Sequence, residues 1–551
     1  MFRPRQSSSQ RIPPTLAHSI LWMILIAAWG GSAVAQSTCP RYQAGSVVQN
    51  PEDLYSANGV LNVSFGYKSE VDGNGNTLYC FINSDGAESP TLHVNPGDTL
   101  IIKLKNELSA PSKASMSMTV PPDTLECGAR EMNSTSVNIH YHGTNVAPKC
   151  GADEVIHTLI NSGQEFTYTI KFPANEPPGL YWYHPHIHGI SQLALQGGAT
   201  GAIVVDGIEK IQPKVAGLRQ QILLLREYPI PGGGRFPKYA APTWDLSLNY
   251  VPIPYPKYTT PILTGKPGEQ QFWRVANTCS DSILNLQVQY DGKPQTLQVV
   301  GFDGVPTGSQ DGTRKGKLVP LQTILLPPAG RVEFIVNGPS QSVKQAMFMS
   351  KRVDTGEQGE SDPTRPLATL KFDENEAESS GGTPSFDAAP AHVQRFEGLA
   401  QAKPTAKRTL YFIENNRLDQ YYVVVNGQEP ELYDPNNPPA IVTKQGAVED
   451  WTIQNRSSEP HEFHIHQIHF LVQSQNHFQV NGSQPVPGIE GQFLDTIQVP
   501  YWDGNPDHPY PSVTVRMDFR GPDIGDFVYH CHILKHEDKG MMAIIRVKPA
   551  K

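Results

Sequence analysis

Three stretches of this chain begin with glycine and end nine residues later with asparagine, and each encloses a short strand-like run. They are Gly97-Asp-Thr-Leu-Ile-Ile-Lys-Leu-Lys-Asn106, Gly268-Glu-Gln-Gln-Phe-Trp-Arg-Val-Ala-Asn277 and Gly446-Ala-Val-Glu-Asp-Trp-Thr-Ile-Gln-Asn455. Glycine suits the tight turn entering such a strand and asparagine the turn leaving it. One match arises easily by chance; three at similar intervals mark a domain repeated along the chain. The ends of the first and third copies also align. Gly179-Leu-Tyr-Trp-Tyr-His184-Pro185-His186 leads to Gly201-Ala-Ile-Val-Val, and Gly525-Asp-Phe-Val-Tyr-His530-Cys531-His532 leads to Met542-Ala-Ile-Ile-Arg. The middle copy has no histidines after Asn277 and reads as a spacer.

At 551 residues the chain is too long for one hydrophobic core. Its 47 glycines and 49 prolines are scattered evenly, and long helical periodicity is absent, as for many short strands joined by turns. The expectation is an all-β protein of three consecutive Greek-key β-sandwich domains at 36–206, 207–375 and 404–551. A linker rich in Ser, Gly, Pro and Ala covers 376–403.

The chemistry concentrates in alternating histidines. His140-Tyr-His142, His184-Pro-His186, His464-Ile-His466 and His530-Cys531-His532 each place two imidazoles on one face of a strand. A single pair is as readily a surface or core feature. Four in one chain, one of them holding cysteine, point to metal. Cys531 faces away from its flanking imidazoles, and His461, His536 and Met541 complete the two-His, one-Cys, one-thioether set that suits a blue-copper site.

These motifs, in this order and over nearly the whole chain, resemble the three-domain multicopper oxidases of the laccase-like group. The resemblance implies cupredoxin-like domains and four copper ions: one type 1, one type 2 and two type 3. It assigns His461, Cys531, His536 and axial Met541 to the type 1 copper and His140 and His464 to the type 2 copper. His142, His184 and His532 go to one type 3 copper, and His186, His466 and His530 to the other. Met542 is the competing axial candidate. His188 and His469 exceed the ligand count and are expected to support ligands by hydrogen bonds. The family often has proline where this chain has Glu462, from which altered loop polarity is expected.

The implied function is one-electron oxidation of a small-molecule donor, a phenol or aromatic amine, coupled to four-electron reduction of O₂ to water. Cys531 joins the two copper sites. Protons need carboxylic acids near the cluster, and Asp153 and Glu537 match the family's acids. A Met-rich insertion for Cu(I) is absent; Met116 and Met118 are too few. A metallo-oxidase acting on Cu(I) or Fe(II) would share every ligand, whereas a non-enzymatic copper-binding scaffold would be expected to have lost cluster histidines that are all present here.

Arg3, Arg5 and Arg11, the apolar run Ile20–Trp29 and Ala33-Val-Ala35 read as a signal peptide over 1–35, hence secreted or periplasmic export. The run falls short of the roughly 20 apolar residues that span a bilayer, so no stable membrane association is expected. The formal charge of −9, or −12 without that segment, argues against nucleic acid partners. Apart from Cys531, five cysteines remain, so at least one lacks an intrachain partner; Cys127 and Cys150, which bracket the first histidine pair, are the candidate bridge.

Overall fold

Each of the three Gly-to-Asn segments forms the same piece of structure. A computed structural model describes residues 37–111, 127–230, 238–313, 315–373, 394–478 and 485–550. The glycines take φ of +89°, +74° and +92°, where a side chain would strain the backbone. The strands that follow, Thr99–Asn106, Gln270–Asn277 and Val448–Asn455, each pair parallel with one neighbour and antiparallel with another.

The terminal asparagines are fully buried. Asn106 Nδ2 donates to the carbonyls of Thr135 and Ile160, Asn277 Nδ2 to Ser282 and Leu326, and Asn455 Nδ2 to Glu459 and Val499, all at 2.6–3.2 Å. Each Oδ1 accepts the N–H two residues on. One side chain thus satisfies three buried backbone groups where the strand leaves its sheet.

The strands assemble into three pairs of sheets along the chain. Four- and five-stranded sheets span strands from Asp53 to Val205, eight- and six-stranded sheets those from Arg219 to Phe372, and six- and five-stranded sheets those from Ala406 to Lys548. Alternation along Thr99–Asn106 sends Leu100, Ile102, Leu104 and Asn106 inward. In the first and last pairs the histidine strands lie in the five-stranded sheet. His140–His142 runs beside Gly179–His184, with His140 opposite His184, and His461–Ile465 runs beside Gly525–Cys531, with His464 opposite His530 and Phe463 opposite Cys531. Residues 38–551 form one compact unit.

Disulfides join Cys39 to Cys80 and Cys127 to Cys150; Cys279 and Cys531 are free and buried. The expected signal segment, Met116, Met118 and most of the expected linker lie outside the described residues. Among the described residues no helix is long and apolar enough to cross a membrane.

Replacing Asn277 by Ala strands two carbonyls and one N–H in the core. It should cost about 1–3 kcal/mol, read as a lower denaturant midpoint with copper content unchanged.

Candidate metal centre

Strand alternation sends the residues of His530-Cys531-His532 into two separate centres. Cys531 Sγ lies 3.6 Å from His461 Nδ1 and 3.7 Å from His536 Nδ1, and those two nitrogens are 3.1 Å apart. A triangle of these edges accommodates an ion roughly 2 Å from each corner, a typical metal–ligand distance. His461 comes from the strand His461–Ile465 and His536 from the short helix Leu534–Glu537. The backbone of Met541 is pinned to both, accepting from Cys531 N and donating to His536 O at 3.0 Å. Met541 packs in the same core cluster as Cys531, whereas Met542 points into another with Val155, Ile156, Val528 and Ile544.

The other eight histidines line a buried chamber between strands of the first and last sheet pairs, none more than 2% exposed. His530 Nε2 lies 3.3 Å from His186 Nε2 and 3.2 Å from His466 Nε2. His140 stacks on His466 at 3.7 Å and His142 on His464 at 3.9 Å; His184 and His532 flank them.

For several of these rings one nitrogen is engaged by a protein oxygen while the other has no protein partner. His140 Nδ1 faces Asp153 at 3.0 Å, His184 Nδ1 the Pro185 carbonyl at 2.8 Å, and His464 Nδ1 the Asp495 carbonyl at 2.8 Å. In each the buried Nε2 has no hydrogen-bond partner. His142 is reversed: Nε2 faces Asp495 at 3.2 Å and Nδ1 is unpartnered. Burial first, and neighbouring imidazoles after it, push the basicity of His140, His466 and His532 far below the ordinary range, so these rings are neutral. Burial pushes the Cys531 thiol up, so a thiolate there needs a cation beside it. Unpartnered lone pairs converging in a buried chamber fit cations such as copper.

Besides Asp495, two more carboxyl groups flank the chamber. Asp153 is buried, accepts the N–H of Tyr141 and the side chain of Gln467, and is pushed up to about 7 by burial. Glu537 Oε2 lies 3.1 Å from His530 Nδ1 and its other oxygen 3.9 Å from His186 Nε2. Beside it half-buried Asp538 accepts from the backbone of Gly189 and Gln192.

The sequence reading missed Asp495, Arg331 and Asp303, which sit in no histidine motif. Arg331 grips both oxygens of Asp495, donates to the Leu180 carbonyl, and takes Asp303 on its backbone N–H. A middle-pair residue thereby ties strands of the first and last pairs, so the middle copy is more than a spacer. Gly143, next to His142, is required here: at φ +83° any Cβ would clash with Arg331 Nη2 and Asp495 Oδ2.

His469 supports this clamp, its Nε2 2.8 Å from the Asp303 carbonyl and 3.5 Å from Asp495. His188 instead packs edge-on against Tyr433. Glu462 departs from the loop expectation, for it lies fully buried within a strand.

Two family models described as multicopper oxidase match residues 129–210 and 402–551. The chain is 24% identical to a multicopper oxidase of Staphylococcus aureus, over 83% of this chain and 81% of that protein. It is 22% identical to a laccase of Bacillus subtilis, over 82% and 87%. Among solved structures it resembles a multicopper oxidase variant of Aquifex aeolicus (TM-score 0.66, 16% identity, 91% and 99% coverage). It also resembles a multicopper oxidase of Campylobacter jejuni described as a metallo-oxidase (TM-score 0.63, 21%, 93% and 96%). The fold is therefore three consecutive cupredoxin-like sandwiches, and the class is a copper-binding oxidoreductase. Multicopper oxidase domains thus match at both ends of the chain, and with the laccase and multicopper oxidase relatives they support a copper oxidoreductase with O₂ as acceptor.

Removing the Asp495 carboxylate by Asp495→Ala frees His142 Nε2 from its anchor, while the backbone carbonyl that holds His464 Nδ1 stays in place. Copper affinity of the histidine chamber should fall about 10–100-fold, measured by chelator competition, while thiolate absorption from the Cys531 centre persists.

Proposed function

We propose that the chain is a laccase-like oxidase of phenols or aromatic amines that holds four coppers. One is bound at His461, Cys531, His536 and Met541, and three among His140, His142, His184, His186, His464, His466, His530 and His532. The observation that carries this reading is the tripeptide His530-Cys531-His532, which serves both centres through a few covalent bonds. Bound copper supplies one-electron chemistry at the thiolate centre and four-electron capacity for O₂ in the chamber.

The chain's own residues do the rest. The chamber excludes bulk water, and Asp495 and Asp153 fix ring orientation through the nitrogens they engage. Asp153 and Glu537 stand where protons must enter, and Asp538, less buried than Glu537, extends the second route outward. The sandwiches are assigned to 36–206, 207–375 and 404–551, with export by a signal segment at 1–35. The two disulfides favour an oxidising compartment.

A second reading, oxidation of Cu(I) or Fe(II), is favoured by the acids at the outer edge of His536. Its Nε2 lies 3.3 Å from Glu459 Oε1, and Glu414, bonded to Ser458, stands beside Glu459. Oxygen uptake by the copper-loaded enzyme on a phenol, an aromatic amine, Fe(II) and Cu(I) separates the readings. Turnover on phenols or amines supports the first, and turnover confined to a metal ion supports the second.

Cys531→Ser should abolish the blue absorption and turnover while the histidine chamber retains copper, checked by absorption and copper stoichiometry together. Glu537→Gln should slow O₂ reduction at least tenfold and leave the blue band intact, checked by single-turnover reoxidation; loss of the band would contradict this role for Glu537.

A further inference from the structure

The middle copy of the Gly-to-Asn repeat continues into Thr278-Cys279-Ser280-Asp281-Ser282, a stretch without histidines. Ser280, Asp281 and Ser282 are buried, and one carboxyl group holds all three. Glu227, on the neighbouring strand Arg219–Pro229, accepts the N–H of Asp281 at 3.0 Å, the N–H of Ser282 at 2.8 Å and the hydroxyl of Ser280. Asn277 fixes the far end by donating to the Ser282 carbonyl. A turn braced in this way presents its remaining polar groups at fixed positions.

Those groups meet the short helix Leu534–Glu537 of the last sandwich. The helix begins after Ile533, whose side chain cannot cap it. Its first N–H, from Leu534, goes to the Ser280 carbonyl at 2.9 Å. Its second, from Lys535, goes to Asp281 Oδ1 at 3.2 Å. A capping oxygen normally comes from the residue just before the helix; here it comes from another sandwich. The end of the helix is tied as well. Asp538 accepts the N–H groups of Gly189, at 2.7 Å, and Gln192, at 2.9 Å, both from the first sandwich. The Gln192 side chain donates to the second oxygen of Asp281.

One helical turn is too short to hold its own shape, so its placement comes from these contacts. On it, His536 faces the Cys531 centre and Glu537 the histidine chamber. We propose that Asp281 is a positioning residue for both centres, fixing the turn on which His536 and Glu537 stand. This rests on the assignment of His536 to copper and of Glu537 to proton delivery. Without the Asp281 carboxyl the turn keeps only one of its two contacts with the middle sandwich, and it tilts, carrying the His536 ring and the Glu537 carboxyl together.

Copper-loaded Asp281→Ala and Asp281→Asn are compared with the wild-type protein by electron paramagnetic resonance of the blue copper and by single-turnover reoxidation with O₂. Asp281→Ala is expected to change the copper hyperfine splitting and to slow reoxidation about tenfold. Asp281→Asn, whose side-chain oxygen still accepts the Lys535 N–H, is expected to restore both. Wild-type values of Asp281→Ala in either measurement, whatever its denaturant midpoint, mark a merely structural part and overturn the proposal. An Asp281→Asn as impaired as Asp281→Ala overturns it too, since the bond to Lys535 is then not what matters.

If Asp281→Ala does not fold, Gln192→Ala, at a half-buried helix position, removes the donor to the second Asp281 oxygen. It is expected to shift the splitting and slow reoxidation in the same direction, and wild-type values in either overturn the proposal. A wild-type protein without a blue band would instead sink the copper assignment, and Glu537→Gln reoxidised at the wild-type rate would sink the proton role.

Discussion

The structure depends on the pairing of Arg331 with Asp495, a fully buried ion pair that joins all three sandwiches. Taking both charges out of water costs several kcal/mol each, and only good geometry with further hydrogen bonds recovers it. Here the guanidinium fork meets both carboxylate oxygens, and its remaining donors reach the carbonyls of Leu180, Ala329 and Asp303. Asp303 in turn receives the N–H groups of Asp495 and Thr496. The net stabilisation is modest; the geometric result is large. His142 from one sandwich and His464 from another share Asp495 as their anchor, so the chamber's shape follows from a contact made by the middle sandwich.

Burial makes the chamber reactive toward metal. An imidazole in water satisfies both nitrogens with solvent. In this chamber one nitrogen of His140, of His184 and of His464 is held by a protein oxygen, and its opposite nitrogen is left without a partner. Desolvation keeps these rings neutral and leaves lone pairs that only a cation can satisfy. The same burial opposes ionisation of Cys531, so copper at that centre and the thiolate form stabilise each other.

Much of this was legible in the sequence because it is written in strict periods. The two-residue alternation of strands separated Cys531 from His530 and His532 and grouped the other histidine pairs, and the Gly-to-Asn repeat gave the number of sandwiches. What stayed hidden has no period. Arg331, Asp303 and Asp495 lie far apart in the chain and meet only through the docking of sandwiches, so no local pattern marks them; Gly143 after His142 was the nearest hint. Glu462 was misjudged because the proline that the family often has at this position suggested a loop. The strand instead places it in the core.

The short helix Leu534–Glu537 carries His536 into the outer centre and Glu537 against the inner one. A single helical turn therefore belongs to both halves of the enzyme. Anyone reshaping the donor-facing surface to accept a bulkier or more cationic reductant would displace the inner acid by altering this turn or the Gly540–Met541 bend after it. The opposite wall, built from Tyr421 stacked on His536 at 4.3 Å together with Glu414 and Glu459, lies against the outer centre. That wall is where redesign of specificity can proceed without disturbing oxygen chemistry.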